Sequence, residues 1–386
     1  MARFEQEEAM GKKAKGNAAR QWAMYTYIAG DNNLSSAGLS DIREMESAGA
    51  SKNVHVAVQI DTVGEHEGSV RYEISLPDFA GKSHRTVIQR LPEQNTGKPK
   101  YLAEFARWAA ERYPARHRLL VVWNHGAGFM HEPTRDIGYD DSSKGDALTM
   151  GELRWALEKA GFGKGPQGRV AVLGFDACLM NMIEVAYEFI GLADLVVGSQ
   201  QTEPGDGWPY GEVVAALQGR PDPKAAAKRV VQVYDRSYRN TGQFNVTQSA
   251  IELARLPAAG RALDRLGRAL HALLPARRNA VVEARVRTQG YEEPTYVDLV
   301  DLARNLRAAI PEGAVRAACD AVSAAVKASV LANRRYGGAV SRSSGMSVWF
   351  PLVRTDYATR RSEYVALRCT QDYPGWSKFL DRLLAA

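Results

Sequence analysis

The chain has little cysteine: Cys178, Cys319 and Cys369 are its three in 386 residues, and they lie far apart. So few, with no CxxC pair, exclude a disulfide framework and the common zinc spacings. No stretch approaches the eighteen apolar residues of a membrane-spanning helix, so we expect no membrane partner. The opening MARFEQEEAMGKKAKGNAAR is polar, mixed in charge and without an apolar core. Residues 1–20 therefore read as a disordered tail and not as a secretory signal. We expect a cytoplasmic protein, a secreted one being the alternative. Internal repeats and long linkers are also missing.

What is present is ordinary globular composition, with 45% hydrophobic and 24% charged residues, enough for one large core or two moderate ones. The net charge is +6, but the halves differ: −5 over residues 1–210 and +11 over 211–386. The basic half spreads its arginines along amphipathic helices such as GRALDRLGRALHALL, where they form a solvated face opposite an apolar stripe. No recognition motif or aromatic–basic interleaving accompanies them, so nucleic acid is not an expected partner. The acidic half would attract a cationic ligand.

Along the first half, strand and helix patterns alternate. WAMYTYIAG, NVHVAVQI, HRLLVVWN, RVAVLGF and ADLVVGSQ read as strands, and SVRYEISL with HRTVIQRL as a peripheral hairpin. SSAGLSDIREMES, KYLAEFARWAAERY, TMGELRWALEKAGF and LMNMIEVAYEFIG read as helices, the third with Thr149 and Glu152 at capping-box spacing. Such alternation implies a mostly parallel sheet covered on both faces. Residues 211–386 are more helical, with short apolar runs VTQSAIEL and MSVWFP, and TEPGDGWPYG marks a boundary near 210. This gives a domain over 21–210 with a helix-rich region, 211–386, packed on it.

Two strands end in reactive residues. HRLLVVWN runs into His125-Gly126, and RVAVLGFD into Ala177-Cys178. Binding crevices form beyond the carboxyl ends of such strands, so neighbouring strands would bring both side chains together. Cys178 is expected to begin a helix, whose dipole favours thiolate. Its N–H and that of Gly126 could face an oxyanion. His125 can hold the thiol ionised or protonate a leaving amine. Asp176 lies two residues before Cys178, on the same face of an extended backbone, where it could bind a cation. The bland alternative for Cys178 is a small buried apolar residue. Asp31, Asn32 and Asn33 follow the first strand as crevice residues or helix caps, and His131 reads as a surface histidine.

These residues carry a resemblance. YIAGDNNL, YLAEFARWAAERYPARHRLLVVWNHGAGF, LTMGELRWAL, GFDACLMNMIEVAYE, GSQQTEPGDGWPY, TYVDLVDLA and MSVWFP resemble the clostripain family of cysteine peptidases, in the caspase-like clan. The resemblance implies a caspase-like α/β/α sandwich, with His125 and Cys178 as dyad and Gly126 in the His-Gly motif. It implies an endopeptidase acting on polypeptides after Arg or Lys, with Asp176 and Asp206 in the pocket for that side chain. A catalytically silent binding protein is the alternative, against which the intact His-Gly and Asp-Ala-Cys argue. Relatives mature by cutting themselves between the dyad members, which points to Lys144 first and Arg135 second. No cofactor is expected to be required, although calcium is associated with some relatives. GYDDSSKGDALTMGE matches an EF-hand poorly: counted from Asp141, Glu152 falls at position 12 but Gly145 one place too early.

Overall fold

The structure, a computed structural model, describes residues 20–63, 68–131 and 136–385. Most of the expected tail and Arg135 lie outside these residues, while Arg20 already opens the first strand. The strands are β1 (Arg20–Gly30), β2 (Val54–Thr62), β3 (Val70–Ile74), β4 (Arg85–Arg90), β5 (Ala115–Trp123), β6 (Val170–Asp176), β7 (Ala193–Gly198), β8 (Val246–Glu252), β9 (Tyr296–Asp298), β10 (Val330–Tyr336) and β11 (Ser347–Trp349). Nine of them form one sheet in the order β10-β8-β7-β6-β5-β1-β2-β3-β4, and β9 pairs with β11. The five central strands, β2 to β7 in that order, are parallel. The expected hairpin, β3–β4, adds antiparallel strands at one edge, and β8 and β10 do so at the other.

Period-two alternation sends successive side chains to opposite layers. Trp22, Met24, Ile28, Leu119, Val121 and Trp123 face one core, and Tyr25, Tyr27, Leu120, Val122, Leu173 and Phe175 the other. The first core is closed by α1 (Ser35–Ala48) through Leu39, Ile42 and Met45. The opposite core receives α2 (Pro99–Arg112), α3 (Met150–Lys159) and the short α4 (Ile183–Glu188). Proline at the first position starts α2, and Leu102, Phe105, Ala106 and Ala109 recur on its buried stripe. Thr149 and Glu152 make the reciprocal capping box of α3. Each fully buried Leu or Phe contributes about 1.5–3 kcal/mol, so the two apolar layers supply most of the drive to fold.

The chain beyond residue 210 does not form a separate layer. α5 (Tyr210–Gln218) and α6 (Pro223–Thr241) cover the same face as α1, while α7 (Leu256–Leu273) and the later helices cover the other. β8 and β10 extend the sheet itself, so the boundary expected at 210 falls inside one continuous α/β/α sandwich. In the basic region Arg268 pairs with Asp264, Arg277 with Glu312, and Arg361 with Asp381, as expected of solvated helix faces. Among the described residues no helix is long and apolar enough to cross a membrane.

Candidate active site

β5 and β6 are adjacent, with Trp123 opposite Asp176, so the chain leaves both strands side by side. The Asn124 N–H donates to the Asp176 carbonyl at 3.2 Å and fastens the two exits. His125 and Cys178 follow directly and line one crevice of about 160 Å³, with Trp123, Asp176 and Glu203. Gly126 explains how the two loops come so close. A Cβ on it would lie 2.3 Å from the Cys178 carbonyl oxygen and 2.9 Å from the Cys178 nitrogen, so only glycine fits. The His125 Nε2 lies 2.8 Å from the Asn33 Oδ1, an acceptor that orients the ring when that nitrogen carries a proton.

One expectation fails. Cys178 does not begin a helix: α4 starts only at Ile183, with Met182 as N-cap. The intervening residues are held open by tertiary bonds, the Leu179 N–H donating to Gln201 O at 3.2 Å and the Asn181 N–H to Ser199 O at 2.8 Å. Leu179 sits at φ 65°, a conformation costly for a branched side chain and tolerated where the surroundings over-determine it. The Glu203 N–H donates to the sulfur at 3.2 Å, and Sγ lies 3.9 Å from the Glu203 carbonyl oxygen. Cys178 is half-buried, whereas Cys319 and Cys369 are buried. Burial pushes the Cys319 thiol up to about 12 and the Cys369 thiol well above its ordinary value.

Asp176 is buried and accepts from the Trp208 N–H at 3.2 Å and the Tyr210 hydroxyl at 2.9 Å. Burial raises its carboxyl to about 6, and those donors limit the rise. Burial and the nearby Asp176 charge push the Glu203 carboxyl well above its usual range. Across Gly205 and Gly207 the crevice adjoins a second cavity of about 230 Å³, walled by Asp41, Glu44 and Asp206. Asp41 accepts from the Trp123 Nε1 at 2.7 Å, and burial with the nearby Asp176 charge raises it to about 9. Burial also raises Glu44. Asp206 is exposed and accepts from the Gln243 amide at 3.2 Å.

Sequence reading missed Asp41, Glu44 and Glu203. The first two sit three apart in SDIREME, just after the first strand, and Glu203 stands in the same TEPGDGW stretch as Asp206. Of the residues after β1, none caps a helix as the N-cap, which is Leu34; Asn32 instead accepts from the Leu34 N–H at 2.9 Å. His131 pairs with Asp136 at 2.6 Å, away from the crevice lining. Lys144 is exposed, in a turn closed by the Gly145 N–H to Asp140 O bond of 2.9 Å. Glu152 is spent on the cap of α3, so the segment from Asp141 is not an EF-hand loop.

Known proteins resemble this chain in sequence and in fold. Clostripain from Hathewaya histolytica is 29% identical over 240 residues, 54% of this chain and 44% of its own length, so the match spans less than half of that relative. A secreted C11 cysteine protease from Bacteroides thetaiotaomicron, solved with an irreversible peptide inhibitor, superimposes with a TM-score of 0.71 at 21% identity. That alignment covers 93% of this chain and 99% of the other. An inactive zymogen of a C11 protease from Parabacteroides distasonis gives 0.72 at 19% identity, over 92% and 99%. These likenesses establish the caspase-like fold. The clostripain family profile matches residues 26–382, nearly the whole described chain. This chain therefore belongs to the clostripain family of cysteine peptidases.

Proposed function

We propose that the protein is an endopeptidase that cuts polypeptides after arginine or lysine through a Cys178–His125 dyad. The observation that carries this reading is the acid-walled cavity of Asp41, Glu44 and Asp206, opening beside the crevice that both dyad members line. The Cys178 thiolate attacks the carbonyl carbon of the basic residue, and the oxygen gains the negative charge. The N–H groups of Gly126 and Cys178 are the donors for that oxygen. His125 delivers a proton to the departing amine, which leaves an acyl-enzyme that water hydrolyses. A guanidinium or ammonium entering the neighbouring cavity draws Asp176 and its neighbours into their ionised forms, since opposite charge lowers a carboxyl pKa.

Self-cleavage after Lys144 belongs to the same reading: Lys144 is exposed, basic and on a loop between the dyad members. Arg135 is the second candidate. Digesting a mixed peptide library and sequencing the new N-termini of the enzyme itself tests both parts. We expect cuts after Arg and Lys, and an enzyme fragment beginning at Gly145 that Cys178→Ala does not produce. A preference for acidic or apolar residues before the cut overturns the pocket reading. A fully active enzyme that stays one chain overturns the self-cleavage.

A further inference from the structure

The paired strands β9 and β11 stand outside the nine-stranded sheet, in the segments TYVDLVDLA and MSVWFP, and the dyad chemistry gives them no role. They nevertheless touch both reactive loops. The register between β5 and β6 ends at Trp123 and Asp176, so His125 and Cys178 lie beyond the ladder that fastens the two strands. On the histidine side, Tyr296 opens β9, and its hydroxyl donates to the Ala127 carbonyl at 2.5 Å. The Met130 backbone hydrogen-bonds to the same hydroxyl. Tyr296 is fully buried, with its ring 6.1 Å from that of Phe129. Gly128 makes room for it: a Cβ there would lie 2.8 Å from the hydroxyl and 2.5 Å from Met182 Sδ.

On the cysteine side, the Ser347 N–H of β11 donates to Asn181 O at 3.0 Å, and Ser347 bridges to Met182. The Trp349 N–H donates to Glu184 Oε1, in α4, at 2.9 Å. Tyr296 pairs with Trp349 and Asp298 with Ser347, so one short ladder carries the contacts to both loops. That ladder is itself anchored to the chain beyond β7. Asp298 accepts from the Gln200 amide at 3.1 Å and from the Ser344 hydroxyl at 2.7 Å, and the Gly345 N–H donates to Gln200 Oε1 at 2.7 Å. Burial pushes the Tyr296 phenol well above its ordinary value, so it stays a donor at neutral pH. A buried hydroxyl without an acceptor is costly, which holds the bond to Ala127 in place.

We propose that the β9–β11 ribbon sets the spacing of the two reactive loops, with Tyr296 as the positioning residue for His125. Tyr296 does not line the crevice and acts through the Ala127 carbonyl, two residues beyond the histidine. Reacting groups need to be held to about 0.5 Å, and a 1 Å misplacement costs ~10²-fold in rate. The proposal rests on the Cys178–His125 reading and extends it to the segments that hold the pair in register.

Tyr296→Phe keeps the ring against Phe129 and removes only the donor. It is expected to fold, to lower kcat on an arginyl peptide at least tenfold, and to leave KM within about twofold, because no substrate contact is lost. In protein labelled with 13C-histidine, the His125 ring signal, identified by its loss in His125→Ala, is expected to move. The control is Tyr25→Phe, which removes another buried tyrosine–carbonyl bond, to Tyr113 O at 2.6 Å, away from the crevice lining. It is expected to lower Tm about as much as Tyr296→Phe, with kcat within about twofold of wild type and the His125 signal in place. Wild-type kcat in Tyr296→Phe, or an unmoved His125 signal, overturns the proposal. So does an equal loss of kcat in the two variants, the mark of general loosening. The spectroscopic arm needs no turnover. A His125→Ala enzyme with wild-type activity instead removes the dyad reading, and this proposal with it.

Discussion

Replacing Gly126 by alanine tests how the two reactive loops are held. The added Cβ would stand 2.3 Å from Cys178 O, 2.9 Å from Cys178 N and 3.1 Å from the Ala177 Cβ. Ordinary carbon contacts begin near 3.5 Å, so the loops must part by about 1 Å. The neighbours are backbone atoms, which cannot swing aside as a side-chain tip can. Overpacking of this kind costs about 1–3 kcal/mol of stability, and a 1 Å misplacement of reacting groups costs ~10²-fold in rate. Gly126→Ala should therefore lower kcat/KM on an arginyl peptide about a hundredfold, with a modest fall in Tm. The matched control is Gly151→Ala in α3, where a Cβ meets nothing within 4 Å. It should keep full activity and gain roughly 0.5–1 kcal/mol from helix propensity. A Gly126→Ala enzyme within about threefold of wild type, at unchanged Tm, refutes the packing argument.

Other outcomes follow from the same site. A thiol reagent should label Cys178 far faster than the buried Cys319 and Cys369, and Cys178→Ala should abolish turnover while His125→Ala lowers it by at least ~10³; equal labelling of all three thiols in folded protein contradicts the assignment. A guanidinium inhibitor should bind more tightly as pH rises through about 6, because Asp176 is protonated below that value and charged above it. Asp176→Asn should flatten that pH dependence and cut turnover at basic sites by roughly 30-fold or more, about 2 kcal/mol at a desolvated charge pair; an inhibition constant independent of pH from 5 to 8, a window of about one unit below to two above, counts against it.

Much of this was legible in the sequence because strand alternation and strand-end chemistry are local. The five central strands, the β3–β4 hairpin and the α3 cap follow from patterns a few residues long. The start of α4 does not, because LMNMIEVAYE has helical periodicity throughout. Residues 178 and 179 make a turn instead, and the segment to 182 is held by bonds to Gln201 and Ser199 and by a bridge from Met182 to Ser347. Tertiary pairing there outweighs a propensity worth only tenths of a kcal/mol per residue. The boundary at 210 misleads for a related reason: a turn-rich stretch marks a loop, and nothing local says that the next strands rejoin the same sheet.

The seam between β5 and β6 has a consequence for any chain cut at Lys144. The break would leave His125 on one polypeptide and Cys178 on the other, joined across the register from Leu119–Val172 to Trp123–Asp176. Each fragment would hold only part of both cores, so neither piece would be expected to persist folded alone. Unfolding would then become dissociation, and the apparent stability of the cut enzyme would rise with its own concentration, as for an obligate heterodimer. Dilution, harmless to the intact chain, would become a way of switching the cut enzyme off.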